Sequence, residues 1–295
     1  MTQAFSLKNV KKEYKGFALD MKDLSLERGY VMGLVGRNGA GKSTAIKILM
    51  NLVYPDQGEV QVLGMRHPED QLEIKRRVGY VSDEPVFYEN MTVGWMADLV
   101  KRYYPTWDEV LHTRYAQKFR LDPGKKVKEL SRGMKVKLGL MLALSHRPEF
   151  LILDEPTSGI DPVIRNELLG EILDVVADER RTVLLSSHIT PDVEKVADYI
   201  AIIHGGRVIT CRDKEDLLDS WRKVTGRLGG EPAATLDRIA PMFQDIRTDG
   251  NAFSGVTGSF SAQWLSDLEK RGATDPKSMG CTLDEILVSL VGKEE

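Results

Sequence analysis

The stretch Gly36-Arg37-Asn38-Gly39-Ala40-Gly41-Lys42-Ser43-Thr44 has the spacing G-x-x-x-x-G-K-[ST] and directly follows the apolar run of residues 30–35. We predict a strand, a glycine-rich loop and a helix over residues 44–51. This order gathers backbone N–H groups and a helix N-terminus around one point, which suits a phosphate. Lys42 would reach the β- and γ-phosphates, and the Ser43 hydroxyl would hold Mg²⁺. The alternative is a glycine-rich loop that matches by chance, and the flanking strand and helix argue against it. The sequence therefore predicts binding of a nucleoside triphosphate.

The composition is typical of a soluble protein, and the net charge is small. The chain has 295 residues, a net charge of −3 and a pI of about 6.0, so no basic field points to nucleic acid or to an acidic membrane. Its two cysteines, Cys211 and Cys281, lack metal-ligand spacing, and we expect both to be reduced thiols. We see no signal peptide and no run of 18 apolar residues. We therefore expect a cytosolic chain that reaches a membrane only through a partner.

The pattern along the chain predicts an α/β protein in two parts. Alternating residues at 4–10 and 18–26 predict antiparallel strands, and apolar runs at 78–81, 150–153, 182–186 and 199–204 predict buried strands. Aromatic, Met and Leu residues at helical spacing predict a helical insert over about residues 86–145. We thus expect a P-loop NTPase core over residues 1–212, with an antiparallel β subdomain and this helical insert. Residues 213–295 predict a small α+β extension that ends in an amphipathic helix over residues 283–291.

A second group of chemistry-bearing residues ends the apolar strand predicted at 150–153. Asp154 and Glu155 follow that strand directly. A buried strand that delivers a carboxylate beside a phosphate loop completes the Mg²⁺ shell in such folds, and we assign Asp154 to the metal. Because side chains alternate along a strand, we expect Glu155 to point to the opposite face and to act on the attacking water as a general base. The alternative is a strand whose first exposed residues happen to be acidic.

Three further motifs complete a family pattern. They are Leu130-Ser131-Arg132-Gly133-Met134, the run Pro156-Thr157-Ser158-Gly159-Ile160-Asp161 after the two acids, and His188 after the strand predicted at 182–186. We predict a helix over residues 135–145, directly after the first of these motifs. With the phosphate loop they resemble, in order, the ATP-binding subunit of an ABC transporter, over about the first 210 residues. The resemblance is closest to the bacterial ABC-2-type drug and antibiotic-peptide exporters, whose ATPase is encoded apart from its membrane subunit.

The resemblance implies a mechanism as well as a fold. Two ATP-binding subunits would face each other head to tail with ATP between them, so that Ser131 and the Gly133 amide meet the γ-phosphate held by the other subunit. Asp161 would cross the interface, and His188 would contact the γ-phosphate and hold the attacking water. Tyr14 resembles the aromatic residue that stacks on adenine, with Phe17 as the alternative. ATP-driven closure and opening of the dimer would then work the membrane subunit.

Three residues, in two motifs, depart from the family pattern. Arg132 and Met134 stand where the family usually has Gly and Gln, while Ser131 and Gly133 keep the phosphate donors. Arg132 could add positive charge near the nucleotide. Asp83 stands where the family has a Gln that contacts Mg²⁺ and water, and its carboxylate could still hold metal. The alternative is that Asp83 only caps the following turn.

The motifs and the family resemblance together predict the cofactors, the partners and the residues of the site. The cofactors are ATP and Mg²⁺, and the partners are a transmembrane subunit and a second ATP-binding subunit, as a homodimer or a heterodimer, without nucleic acid. We expect the chain in the cytoplasm, peripheral to the inner face of the cell membrane. Its predicted residues are Glu155 and His188 for catalysis; Tyr14, Gly36, Asn38, Gly39, Ala40, Gly41, Lys42, Ser43, Thr44, Ser131, Gly133 and Asp161 for the nucleotide; and Ser43, Asp154 and Asp83 for the metal.

Two other functions were weighed against this one. A soluble ABC-type ATPase acting on ribosomes would carry two cassettes, and one acting on DNA would carry a long coiled coil between Gly41 and Leu130; the sequence has neither. A GTPase or a small-molecule kinase would leave the motif around Ser131 unexplained, and the chain has no Asn-Lys-x-Asp guanine motif. Cargo and direction of transport are not encoded in any motif that we recognise.

Overall fold

The computed structural model describes residues 3–179 and 181–292, which divide into two compact units, one ending at Cys211 and the other beginning at Arg212. The strands are β1 (Gln3–Tyr14), β2 (Phe17–Glu27), β3 (Val31–Val35), β4 (Gln57–Val62), β5 (Met65–Arg66), β6 (Val78–Val81), β7 (Phe150–Asp154), β8 (Thr182–Ser187), β9 (Tyr199–His204), β10 (Arg207–Asp213), β11 (Arg222–Leu228), β12 (Asp245–Asp249), β13 (Ala252–Thr257) and β14 (Ala273–Gly280). The helices are α1 (Lys42–Leu49), α2 (Gln71–Arg77), α3 (Val93–Lys101), α4 (Glu109–Lys118), α5 (Arg132–Leu144), α6 (Pro162–Glu179), α7 (Thr190–Val196), α8 (Lys214–Ser220), α9 (Pro232–Ile239), α10 (Trp264–Lys270) and α11 (Leu283–Val291).

A six-stranded sheet forms the centre of the first unit. Its order is β10-β9-β3-β8-β7-β6, and the neighbours from β9 to β6 pair in parallel. Every residue of β3, β7 and β8 is buried, as expected for parallel strands that are covered on both faces. Because the strands are parallel, the loops that follow β3, β8, β7 and β6 all lie at one edge of the sheet. This edge carries the predicted site.

A second sheet of four antiparallel strands, in the order β2-β1-β4-β5, completes the first unit together with the helices. Both of its long strands extend beyond the residues predicted from alternation, and β1 and β2 meet in a tight hairpin where Tyr14 pairs with Phe17. Its apolar face packs against α1, with Phe5, Leu7, Met21 and Ile46 fully buried in one cluster. The α/β class predicted from the sequence is confirmed.

Helices α3, α4 and α5 occupy the segment predicted as a helical insert. Tyr115 of α4 stacks on Phe119, the residue that ends this helix, and both are buried with Leu138 of α5. Helix α5 begins at Arg132, three residues before the predicted start, because the Ser131 hydroxyl caps it by accepting a hydrogen bond from the Met134 amide at 3.3 Å.

The second unit is a separate α+β fold. Its elements follow the order α8-β11-α9-β12-β13-α10-β14-α11, and its sheet is antiparallel in the order β12-β13-β11-β14. This is the β-α-β-β-α-β arrangement of ferredoxin-like folds, with α8 before it and α11 after it. Its core contains Val224, Phe253, Trp264 and Leu268. Helix α11 spans the residues predicted for the terminal helix and starts with a capping box between Thr282 and Glu285.

Candidate functional site

The phosphate loop connects β3 to α1 at the carboxyl edge of the central sheet. Gly41 has φ +110°, a backbone conformation that suits glycine, and it turns the chain directly into α1. The helix therefore begins at Lys42, two residues before the predicted start, so Lys42 and Ser43 lie in its first turn. The loop also brings together the other predicted phosphate-binding residues, which are Gly36, Asn38, Gly39, Ala40 and Thr44.

Lys42 is buried at the centre of the site. Its Nζ donates to the Gly36 carbonyl at 2.7 Å and to the Arg37 carbonyl at 3.3 Å, and it lies 3.0 Å from Glu155 Oε1. The Lys42 ammonium thus joins the phosphate loop to the end of β7. An ammonium group that donates to carbonyl and carboxylate oxygens can donate equally to the oxygens of a phosphate.

Asp154 is fixed by two hydroxyl groups. Its Oδ1 accepts a hydrogen bond from Ser186 Oγ at 2.6 Å and lies 3.2 Å from Ser43 Oγ. The Ser186 hydroxyl also accepts from the Glu155 amide at 3.0 Å, so this one side chain aligns both acids. The sequence analysis did not assign Ser186 a role. Its position, a hydroxyl near the carboxyl end of a strand predicted to be buried, could have indicated a residue of the site.

Glu155 follows β7 directly, and alternation along the strand predicted that it would point to the face opposite Asp154. Its φ of +49° takes it out of the extended conformation, and its carboxylate turns toward Lys42. Its other oxygen, Oε2, lies 2.7 Å from His188 Nδ1 and accepts from the His188 amide at 3.3 Å. Lys42, Glu155 and His188 therefore form one connected group, which a general base beside a phosphate site requires.

Asp83 lies in the loop after β6 and contacts Arg132. The Arg132 Nη2 donates to Asp83 Oδ1 at 3.0 Å. Burial raises the pKa of the Asp83 carboxyl; Arg132 opposes this rise, and the negative charges of Glu155 and Asp154 add to it. Asp83 thus shares the electrostatic field of the two acids after β7.

Ser131, Gly133 and Asp161 lie around the ends of α5 and α6. Ser131 caps α5, and Gly133 is buried against Ile164, where an added Cβ would lie 3.1 Å from the Ile164 Cγ2. Asp161 precedes α6 and accepts from the Val163 amide at 2.9 Å. Each of these three residues is held by α5 or α6, and their meeting with a phosphate of a second chain stays a prediction.

The two candidates for adenine stacking differ in burial. Tyr14 is exposed at the end of β1, with Lys12 Nζ 5.9 Å above its ring and the Phe17 ring 6.3 Å away. Phe17 is partly buried and lies against the phosphate loop, since a Cβ added at Gly41 would be 3.1 Å from Phe17 Cζ. Tyr14 offers a free ring face, whereas Phe17 supports the loop.

A buried network that the sequence did not reveal connects the segments around the acids and His188. The Thr157 hydroxyl donates to Asp192 Oδ2 at 2.7 Å, and the Arg165 Nη2 lies 3.1 Å from Asp192 Oδ1. Asp192 belongs to α7, which starts two residues after His188, while Thr157 follows Glu155 by two residues. The carboxylate of Asp192 thereby fixes these two segments to each other.

The described residues contain neither a cation cage nor a membrane-spanning helix. Residues 3–179 and 181–292 contain no group of three His, Cys, Asp or Glu side chains arranged to hold a metal ion. In the same ranges, no helix is both long enough and apolar enough to cross a bilayer.

Comparisons with known proteins point in one direction. A family model described as ABC transporter matches residues 19–158. The chain is 35% identical over 199 residues to the bacitracin transport ATP-binding protein BcrA of Bacillus licheniformis, covering 65% of this chain and 63% of the relative. It is 33% identical over 303 residues to the Nod factor export ATP-binding protein I of Cupriavidus pinatubonensis, covering 100% of this chain and 92% of the relative. A solved structure titled as the ATP binding subunit of an ABC transporter aligns with a TM-score of 0.64 at 29% identity, over 73% of this chain and 92% of that one.

Proposed function

The chain belongs to the ABC transporter family of ATP-binding proteins, and from this premise we propose that it hydrolyses ATP to drive a separately encoded membrane subunit of an exporter. One observation carries the proposal. Lys42 and Ser43 of the phosphate loop contact Glu155 and Asp154 at the end of β7, and His188 completes the group. These are the groups that ATP binding and hydrolysis require, and they lie at one edge of the sheet.

Hydrolysis uses the group around Glu155. Lys42 moves from Glu155 and the Gly36 carbonyl to the β- and γ-phosphate oxygens, where its charge stabilises the negative charge that develops in phosphoryl transfer. The freed Glu155 oxygen accepts a proton from water, whose oxygen attacks the γ-phosphorus while the bond to the ADP oxygen breaks. His188 contacts the second oxygen of Glu155 and thereby orients the carboxylate that acts as the base.

The residues present fit a Mg²⁺ ion. Ser43 and Asp154 supply oxygen ligands of the kind that Mg²⁺ prefers, and their oxygens already lie within 3.2 Å of each other. We propose that these two residues hold the ion and that Asp83 is a further ligand. When bound, the ion would neutralise charge on the β- and γ-phosphates.

Two chains are proposed to enclose the nucleotide. Ser131 and Gly133 at the start of α5 would bind the γ-phosphate of the ATP held by the second subunit, because a helix N-terminus attracts an anion. Asp161 would lie near the phosphate loop of that subunit. The second subunit is either another copy of this chain or a related ATP-binding subunit.

An apolar groove on the first unit is the proposed docking site of the membrane subunit. It has a volume of about 620 Å³ and lies between α2, the loop after β6, and the helices α3 and α5. Its rim exposes Leu52, Leu72, Val86 and Tyr103, an apolar patch typical of an interaction site. We propose that a helix of the membrane subunit occupies this groove, which would place the chain at the inner face of the cell membrane. The cargo is proposed to be an exported compound, as the names of the two relatives suggest.

The test is ATP binding and ATP-dependent dimerisation of the purified chain. We expect a fluorescent ATP analogue to bind, and Lys42→Ala to weaken that binding at least ten-fold. We expect Glu155→Gln to keep ATP bound without hydrolysis and to elute from gel filtration as a dimer only with ATP. Lys118→Ala, which removes a surface ion pair with Asp174, is the matched control and should leave ATP binding unchanged. ATP binding that is equal with and without Lys42 would refute the proposed function.

A further inference from the structure

Two of the three residues at which the chain departs from its family pattern are in contact with each other. Asp83 follows β6, Arg132 opens α5, and 49 residues separate them, yet the Arg132 Nη2 donates to Asp83 Oδ1 at 3.0 Å. Their side chains are 43% and 44% exposed, so both can still reach solvent or a ligand. We call this ion pair the Asp83–Arg132 clasp.

Arg132 also lies over the loop that follows β7. A Cβ placed on Gly159 would come within 2.8 Å of the Arg132 Nη1, so only a glycine leaves room for the guanidinium there. Gly159 has φ +63°, which glycine adopts readily. The guanidinium of Arg132 thus joins three segments of one chain, namely the start of α5, the loop after β6 and the loop after β7.

The clasp is electrically coupled to the hydrolytic site. Asp83 is close enough to Asp154 and Glu155 for their charges to raise its pKa, while Arg132 lowers it. Lys42 is the cation beside Glu155, and Arg132 is the cation beside Asp83. As long as Arg132 holds Asp83, one oxygen of the Asp83 carboxylate is directed toward α5 and is not available as a ligand.

We infer that the clasp is an exchange switch: Arg132 leaves Asp83 for the γ-phosphate presented by a second subunit, and Asp83 is thereby released to the metal side of its own site. The inference rests on the proposed function and adds regulation to that same site. Ser131 and Gly133 flank Arg132, so a phosphate that meets them also meets the guanidinium. Arginine binds phosphate oxygens through two parallel hydrogen bonds, which allows the phosphate to compete with a single carboxylate contact. Closure of the two subunits and completion of the metal ligands would then occur together.

The expected effect is modest and measurable. Exposed ion pairs of this kind change an equilibrium by about two- to five-fold. R132Q removes the competitor for Asp83, so the Mg²⁺ concentration needed for half-maximal binding of a fluorescent ATP analogue should fall by that factor. In a D83N chain, R132Q should have no effect on this Mg²⁺ concentration, because the side chain at position 83 is already neutral and its release adds no charged ligand.

The experiment is a double-mutant cycle with a matched control. The unaltered chain, R132Q, D83N and D83N/R132Q are titrated with Mg²⁺ in the presence of the fluorescent ATP analogue. K135Q is the control, since Lys135 lies on the same helix and makes a 3.0 Å ion pair with Glu89 outside the clasp; it should leave the Mg²⁺ curve unchanged. A second measurement needs no nucleotide: R132Q and D83N should each speed amide hydrogen exchange in residues 82–84, and K135Q should not.

The outcomes separate the clasp from the proposed function. An R132Q shift that appears with Asp83 and disappears with D83N supports the switch. Mg²⁺ curves that coincide for all four chains, or an R132Q shift that persists with D83N, overturn it, even when ATP binding through Lys42 is intact. A chain that binds no ATP analogue overturns the proposed function and the switch together, whereas the hydrogen-exchange result then still reports whether the clasp exists.

Discussion

Replacement of Lys42 by methionine should destabilise the first unit, and replacement of Glu155 as well should recover much of the loss. The side chains of Lys42 and Glu155 are 5% and 8% exposed and form a 3.0 Å ion pair. Removing one partner of a buried pair costs about 3–5 kcal/mol, because the other charge stays buried without compensation. His188 keeps its contact with Glu155 at 2.7 Å, so we expect the lower end, about 3 kcal/mol. Adding Glu155→Gln removes the orphaned charge and should restore roughly 2 kcal/mol.

The assay is urea unfolding of the four chains of this cycle, with hydrogen exchange of peptides from β7 to assign the effect to the first unit. A chain of two units need not unfold in one step, so the peptide data are essential. Lys12→Met is the control: its pair with Asp56 is 2.7 Å long but 21% and 44% exposed, and it should cost at most about 1 kcal/mol. A Lys42→Met loss no larger than this control, or additive effects of the two changes, would refute the reasoning from a buried pair.

Three further predictions follow from single side chains. Burial lowers the pKa of His146 from 6.5 to about 4, so as the pH falls the unfolded chain takes up the proton before the folded chain does, and stability present above pH 6.5 is lost toward pH 4. In urea unfolding, the stability advantage of the unaltered chain over His146→Gln should therefore shrink by roughly 3 kcal/mol between pH 7 and pH 4. A difference that stays constant over this range contradicts the prediction. Asp192→Asn removes the buried charge that faces Arg165 at 3.1 Å and should cost about 2 kcal/mol by the same method; unchanged stability would show that the pair contributes nothing. Tyr14→Ala should weaken ATP binding by about 5- to 150-fold, the range for loss of one stacking contact, without a change in stability, and a loss seen with Phe17→Leu instead would assign the stacking to Phe17.

The elements that the sequence predicted best are those fixed by local pattern. Strand β9 and helix α11 have the predicted bounds, because an apolar run and a capping box each mark their own ends. The starts of α1 and α5 were predicted two and three residues late. In both helices the first turn carries polar or small residues, and the boundary is set by Gly41 in one and by the Ser131 cap in the other.

The features of the site that could not be predicted from the sequence are contacts between distant residues and one unusual backbone conformation. Ser186 and Asp192 bind residues more than 30 positions away, and no spacing rule reports such a contact. The contact of Glu155 with Lys42 could not be predicted from alternation, because alternation assumes an extended backbone and this residue has a positive φ. The contact between Asp83 and Arg132 could not be predicted from either motif alone. The two residues lie in different motifs, and each differs from the residue that the family usually has at that position.

The contacts of Glu155 explain why hydrolysis would wait for the substrate. Its two oxygens are both engaged, one by Lys42 at 3.0 Å and the other by His188 at 2.7 Å. A carboxylate in this position cannot accept a proton from water until one contact is given up. Phosphate oxygens attract Lys42 away from Glu155, whereas nothing in that exchange disturbs the contact with His188. If Glu155 is the general base that we propose, it would be released only by the arrival of the phosphates that it helps to cleave, with its orientation already set.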